Sequence, residues 1–143
     1  MNKQFVTKDI AFKLKALGFN EPCMGFFKFN NDKLFYDSTI IRFRNNEDLN
    51  FFSDITTRAS APLWSQVIDW FRTTYGLHIT STGDNDKSRF KYDGYVFEIN
   101  RVDWSGLEPD EDNLVYTTIM LDYEIAREEV INFALEIVTS TMN

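Results

Sequence analysis

The sequence predicts an α+β fold in which three helices pack on a mainly antiparallel sheet. Apolar residues recur at helical spacing in three segments, and short β-prone runs lie between them. No linker rich in Pro, Gly or Ser divides the chain. With 143 residues and 43% hydrophobic content, the chain has the length of one domain and needs no metal or disulfide to form a core. We therefore expect a single α+β domain over residues 1–143.

The first helix has the clearest boundaries. Thr7 is a good N-cap for it, and Gly18 ends it because glycine readily adopts a positive φ. Phe19 then follows at the position that packs on Leu14 in a Schellman turn. Both ends of this helix are therefore predicted from residue type alone.

The second and third helices are bounded by similar signals. Pro62 lies in the first turn of the second helix, where its missing N–H costs nothing, and Gly76 ends the helix. Apolar side chains fill one continuous arc of this helix and polar side chains fill the other. The third helix runs from about Tyr123 to Val138, with Asp122 as its N-cap.

Short β-prone runs predict the strands. Residues 23–29, 33–36 and 39–44 form three such runs, and residues 114–120 form a later one. Turn-forming residues separate the first two runs, which indicates an antiparallel pair.

A further hairpin is expected at Asp93 and Gly94, a residue pair that favours a type I′ turn. This turn would place Phe90 opposite Phe97 on one face of the hairpin. It would also place Arg89 opposite Glu98 on the other face.

The net charge of -7 is unevenly distributed. Residues 1–72 hold ten bases and eight acids, whereas residues 73–143 hold five bases and fourteen acids. Because nucleic-acid binding draws its affinity from Lys and Arg, an acidic chain without a basic stripe argues against a nucleic-acid partner. A basic protein partner fits the acidic half better.

Cysteine content and hydropathy favour the cytoplasm. Cys23 is the only cysteine, so no intrachain disulfide can form. No apolar run approaches the roughly 20 residues of a membrane span. We expect a cytoplasmic protein without a membrane partner.

Three segments together carry a resemblance to a known group of proteins. They are EPCMGFF, APLWSQVIDWFRTTYGLH and YEIAREEVINFALEIV. In this order, after the first helix, the chain resembles small uncharacterised proteins of tailed bacteriophages and prophages. The resemblance implies a phage origin and hence the host cytoplasm, but no activity, so no functional residues follow from it.

No spacing of residues requires a particular chemistry, so we assign no catalytic, cofactor-binding or metal-binding residue. His78 is the only histidine. Asp84, Asp86 and Ser88 imitate the start of a calcium loop, but Arg89 stands where that loop needs glycine. A pairing of Cys23 with His78, or clustered carboxylates, leaves a hydrolase as an alternative.

Two groups of residues are predicted to make protein contacts in a non-enzymatic, phage-encoded accessory protein. An acidic segment with one tryptophan suits a basic host partner. Its residues are Trp104, Glu108, Asp110, Glu111 and Asp112. A second apolar row on the third helix, turned away from the core face around Val130, suits a homo-oligomer. Its residues are Ile131, Leu135 and Val138.

Two other functions stay open. A small-ligand or signalling-nucleotide binder would use an aromatic pocket, with Arg42, Arg44 or Lys91 opposite an anionic group. Aromatic and basic residues alternate in FKFNNDKLFY, IIRFRNN and RFKY, although core packing explains most of the aromatic content. A minor virion component is the other alternative.

Overall fold

Four α-helices and two antiparallel sheets make up the computed structural model, which describes residues 2–36, 43–50, 57–84, 94–101, 114–120 and 122–141. The α+β class is confirmed. Within the described residues there is one more helix than predicted, and the strands form two three-stranded sheets rather than one. The chain divides into two compact units, residues 1–67 and residues 68–143. The expected single domain stays a prediction.

The helices and strands alternate irregularly along the chain. A short 3-10 helix at Asn2–Gln4 precedes them. The α-helices are α1 Lys8–Ala16, α2 Asn46–Asn50, α3 Trp64–Tyr75 and α4 Tyr123–Thr141. The strands are β1 Gly25–Lys28, β2 Leu34–Tyr36, β3 Arg58–Ala61, β4 Leu77–Asp84, β5 Gly94–Arg101 and β6 Leu114–Met120.

The predicted ends of α1 are confirmed. The Thr7 side chain accepts a hydrogen bond from the Ile10 amide at 3.4 Å, which caps the first turn. Gly18 has a φ of 93°, and the Phe19 amide donates to the Leu14 carbonyl at 3.0 Å. This bond is the outer bond of a Schellman turn.

The short helix α2 was not predicted from the sequence. Asn45 caps it, because its side chain accepts from the Asp48 amide at 2.7 Å while the Asp48 carboxylate accepts from the Asn45 amide at 3.2 Å. Asn46 is buried, donates to the Phe19 carbonyl at 2.6 Å and accepts from the Ser60 amide at 2.8 Å. This one side chain therefore connects the end of α1, the start of α2 and β3.

The first sheet has the order β2-β1-β3, and all its pairings are antiparallel. The β1–β2 pair was predicted, but β3 was not, because Ala and Ser have little preference for strands. Of the strand expected over residues 39–44, residues 39–42 lie outside the described residues. Arg44 forms an isolated bridge with Cys23.

The second sheet has the order β4-β5-β6, and its register contradicts the predicted hairpin. Phe97 pairs with Ser81 on one side and with Thr118 on the other, so neither edge of β5 is left for Phe90. Gly94 pairs with Asp84, so the connection between β4 and β5 spans residues 85–93. The prediction of a tight turn at Asp93 and Gly94 is therefore wrong. The pairing of β4 with β5 along their whole length outweighs the local turn preference of these two residues.

Helix α4 packs on β5 and β6. Asp122 caps it as predicted, accepting from the Ile125 amide at 3.0 Å. The expectation that the second row faces away from the core is wrong, because Ile131, Leu135 and Val138 are 0%, 4% and 1% exposed. An apolar stripe wide enough to include these residues together with Val130 is normal for a core helix. No helix within the described ranges has the length and apolar character to cross a membrane.

Candidate functional site

An open cleft of about 690 Å³ lies in the unit formed by residues 1–67. Residues from the segment that enters α1 and from the β1–β2 hairpin line it. They are Phe5, Val6, Thr7, Lys8, Phe27, Asp32, Lys33, Leu34 and Tyr36. Its volume falls within the roughly 300–1,000 Å³ of small-molecule sites.

Strand alternation supplies one wall of the cleft. Successive side chains point to opposite faces of a sheet, so Phe27, Leu34 and Tyr36 lie on the cleft face. Phe27 is buried, Leu34 is half-buried and Tyr36 is exposed. A Cβ atom at Gly25 would lie 3.0 Å from the Leu34 side chain and 3.2 Å from the Phe35 carbonyl. Glycine at this position therefore lets the cleft wall pack closely on β1.

The segment before α1 supplies the opposite wall. The Val6 amide donates to the Pro62 carbonyl at 3.0 Å, and Phe5 forms an isolated antiparallel bridge with Leu63. Both Phe5 and Val6 are buried. Backbone hydrogen bonds therefore hold this wall in place without closing the cleft.

Lys8 brings a positive charge to the rim. Its ammonium group donates to the Phe29 carbonyl at 2.7 Å and to the Asp32 carboxylate at 3.2 Å. It also lies 5.6 Å from the centre of the Phe29 ring, within range of a cation–π contact. The Phe29 ring packs edge-on against Phe12 at 5.7 Å, so α1 and the β1–β2 turn are joined beside the cleft.

The turn between β1 and β2 places Lys33 at the same rim. The Asn31 side chain accepts from the Lys33 amide at 2.9 Å, and the Asn31 amide donates to the Lys28 carbonyl at 3.2 Å. These bonds order the turn. Two lysines and one aspartate line the cleft, so the sum of their formal charges is +1.

The opposite face of this sheet is aromatic as well, but its rings already contact cations. Phe26 and Phe35 stack with ring centres 5.5 Å apart and an interplanar angle of 17°. Lys28 lies 5.0 Å from the centre of Phe35, and Arg58 lies 5.2 Å from the centre of Phe26. The sheet thus separates the aromatic side chains of β1 and β2 into a cation-covered stack on one face and an open cleft on the other.

Cys23 is poorly suited to nucleophilic catalysis. It is 2% exposed, and its thiol donates to the Glu21 carbonyl at 3.3 Å. Burial, with a smaller contribution from the Glu21 charge, raises the pKa of Cys23 to about 12. The thiolate that a hydrolase needs is therefore disfavoured. His78, the proposed partner of Cys23, is half-buried in β4 in the other unit.

Metal-ligating side chains do not cluster within the described segments. No three His, Cys, Asp or Glu side chains there come close enough together to hold a metal ion. Asp84 ends β4, whereas Asp86 and Ser88 of the calcium-like pattern lie outside the described residues.

The structure bears differently on the two groups of residues predicted to make protein contacts. Trp104, Glu108, Asp110, Glu111 and Asp112 lie outside the described residues, so their role stays a prediction. The helix row proposed for self-association is buried in the chain, so the exposed apolar surface on which that prediction depended is not there.

An aromatic pocket with a cation was one of the alternatives predicted from the sequence, but the cations proposed for it are not those of the cleft. Arg42 and Lys91 lie outside the described residues, and Arg44 does not line the cleft. The cations at the cleft are Lys8 and Lys33 instead. The segment FKFNNDKLFY supplies five of the nine lining residues, so its alternation was the signal in the sequence. Nothing in the sequence indicated that the start of α1 would lie against it.

Comparison of the chain with protein-family models, curated proteins and solved structures gives no match. The phage resemblance therefore stays a prediction.

Proposed function

We propose that the chain binds a small molecule with an apolar, ring-sized body in the cleft between the start of α1 and the β1–β2 hairpin. One observation carries this proposal: an open volume of about 690 Å³ has buried apolar side chains in its walls and charged groups at its rim. Apolar walls with a few placed polar groups are typical of small-molecule sites.

The walls offer such a ligand apolar surface that is already in place. Phe5, Val6 and Phe27 are at most 5% exposed, so they are already packed before a ligand arrives. Leu34 and Tyr36 keep part of their surface open to the cleft. A ligand that covers this remaining apolar surface gains about 25 cal/mol for each Å² removed from water. Prepacked walls also lower the ordering cost of binding.

The function predicted from the sequence, contact with a basic protein partner, does not draw on this cleft. Its residues lie in the segment around Trp104, and phage origin rests on resemblance alone. Both stay predictions. The small-ligand alternative is the one that the cleft supports.

A pair of variants on one strand tests the proposal. Leu34 and Phe35 are neighbours in β2, are both half-buried and face opposite sides of the sheet. We expect Leu34→Ala to weaken binding of the neutral probe naphthalene-1-sulfonamide by about twofold to fivefold, since it removes apolar surface from the wall. Phe35→Ala, the matched control, should leave the affinity unchanged.

Amide chemical shifts in a two-dimensional NMR titration measure both the affinity and the place of binding. Shifts concentrated at residues 5–8 and 34–36 support the proposal. Equal losses in the two variants, or shifts concentrated in residues 68–143, would contradict it.

A further inference from the structure

We infer that the ligand of this cleft is an organic anion, an apolar body with one carboxylate, sulfonate or phosphate group, and that this group takes the place of Asp32 at the Lys8 ammonium. The inference rests on the proposed function, because it assigns a chemical class to the ligand of the same cleft. It also makes Asp32 a specificity-determining residue.

Lys8 is held at the rim by contacts that do not depend on Asp32. Its shortest hydrogen bond, 2.7 Å, goes to the carbonyl oxygen of Phe29, and the Phe29 ring lies beneath the ammonium at 5.6 Å. Neither contact neutralises the positive charge. The ammonium therefore stays in place, still charged, when the carboxylate leaves.

Asp32 is a weakly held partner. Its carboxylate lies 3.2 Å from the Lys8 ammonium, and its side chain is 99% exposed, compared with 26% for Lys8. An exposed ion pair contributes little, because water stabilises the separated carboxylate almost as well. Asp32 therefore occupies the position of an anion without closing the cleft, and it leaves at little cost.

The apolar wall favours a ligand anion over the Asp32 carboxylate. The anionic group of a ligand whose ring covers Leu34 is held near Lys8 by the ring's own contacts, which raises its local concentration. Lys33 lies on the same rim and adds a second positive charge. Without Asp32, the formal charge of the lining residues would rise from +1 to +2.

Two probes of equal shape separate charge from apolar contact. Naphthalene-1-sulfonate is an anion, and naphthalene-1-sulfonamide is its neutral counterpart. The affinity ratio of the anion to the neutral probe is measured by NMR titration in low salt for the wild type, Asp32→Asn and Lys8→Gln. Glu47→Gln is the control, because it removes one exposed negative charge from the same unit outside the cleft.

We expect a wild-type ratio above one. Asp32→Asn should raise the ratio by about twofold to fivefold, the range of an exposed ion pair, and Lys8→Gln should lower it by a similar factor. Glu47→Gln should leave the ratio at the wild-type value. High salt should reduce the ratio in the wild type.

Failure of the inference and failure of the proposed function give different results. If neither probe shifts the amides of the cleft, the proposed function is wrong. If both probes bind there with equal affinity, or if Asp32→Asn changes the ratio no more than Glu47→Gln does, the cleft binds by apolar contact alone and the inference is overturned. The comparison of Asp32→Asn with the wild type tests the inference even if Lys8→Gln fails to fold. Asp32→Asn itself should fold normally, because the Asp32 side chain is solvent-exposed.

Discussion

Ionisation of Cys23 should make the chain less stable at high pH. Burial, together with the nearby Glu21 charge, raises the folded-state pKa of this thiol from 9.0 to about 12. The stabilisation from the protonated thiol is therefore fully present below pH 9 and is lost as the pH rises towards 12. The loss approaches about 1.36 kcal/mol for each unit of pH between these values, and because the unfolded thiol is only half ionised at pH 9, raising the pH from 9 to 10.5 should remove about 1.6 kcal/mol.

Cys23→Ala isolates this effect, because all other titrating groups remain in both proteins. Urea unfolding with a reductant present, at pH 7, 9 and 10.5, gives the free energy of unfolding of each. We expect the wild-type value to fall by about 1.6 kcal/mol more than the variant value between pH 9 and 10.5. Parallel losses in the two proteins would show that the thiol is not buried as described and would refute the reasoning.

Two further predictions concern the core. Asn46→Ala should lower the free energy of unfolding by roughly 2–4 kcal/mol, because the Phe19 carbonyl and the Ser60 amide lose their buried partner. Asn20→Ala removes an exposed bond to the Glu47 amide and should cost less than about 1 kcal/mol, so equal losses in urea unfolding would contradict this assignment. Leu135→Glu places a charge at a side chain that is 4% exposed and should cost about 3 kcal/mol or more, with loss of helical circular dichroism. Glu136→Gln, at the exposed neighbouring position, is its control. An intact spectrum with unchanged stability in Leu135→Glu would contradict the burial of Leu135.

Local signals predicted both ends of α1 and the start of α4. Pro62, expected in the first turn of the second helix, instead precedes α3, which begins at Trp64. Thr7, Gly18 and Asp122 act on backbone groups within a few residues of themselves, so residue type alone determines whether a cap forms. The β1–β2 pair was predicted for the same reason, since turn-forming residues lie between two β-prone runs.

Long-range pairing was predicted poorly. The turn preference of Asp93 and Gly94 is worth little against the eight paired positions between β4 and β5. The Arg58–Ala61 segment becomes a strand because β1 offers it a partner, although its own side chains do not favour one.

The burial of α4 was also predicted only in part. Helical spacing identified two apolar rows on α4. How much of each row is buried depends on the sheet that packs against the helix, whose strands β5 and β6 precede it in the chain. Ile131, Leu135 and Val138 of the second row are buried together with Val130, so the sequence pattern overstated the exposed apolar surface of that row.

The sequence by itself determined the α+β class, the caps of α1 and the N-cap of α4, and the segment FKFNNDKLFY as a concentration of aromatic and basic residues. Tertiary structure alone decided that this segment would place Phe27 and Leu34 in a cleft, and that Lys8, nineteen positions before Phe27, would complete its rim. Caps depend on bonds between near neighbours, which residue type indicates directly. A cleft depends on which distant surfaces meet, and that is set by the packing of the whole unit.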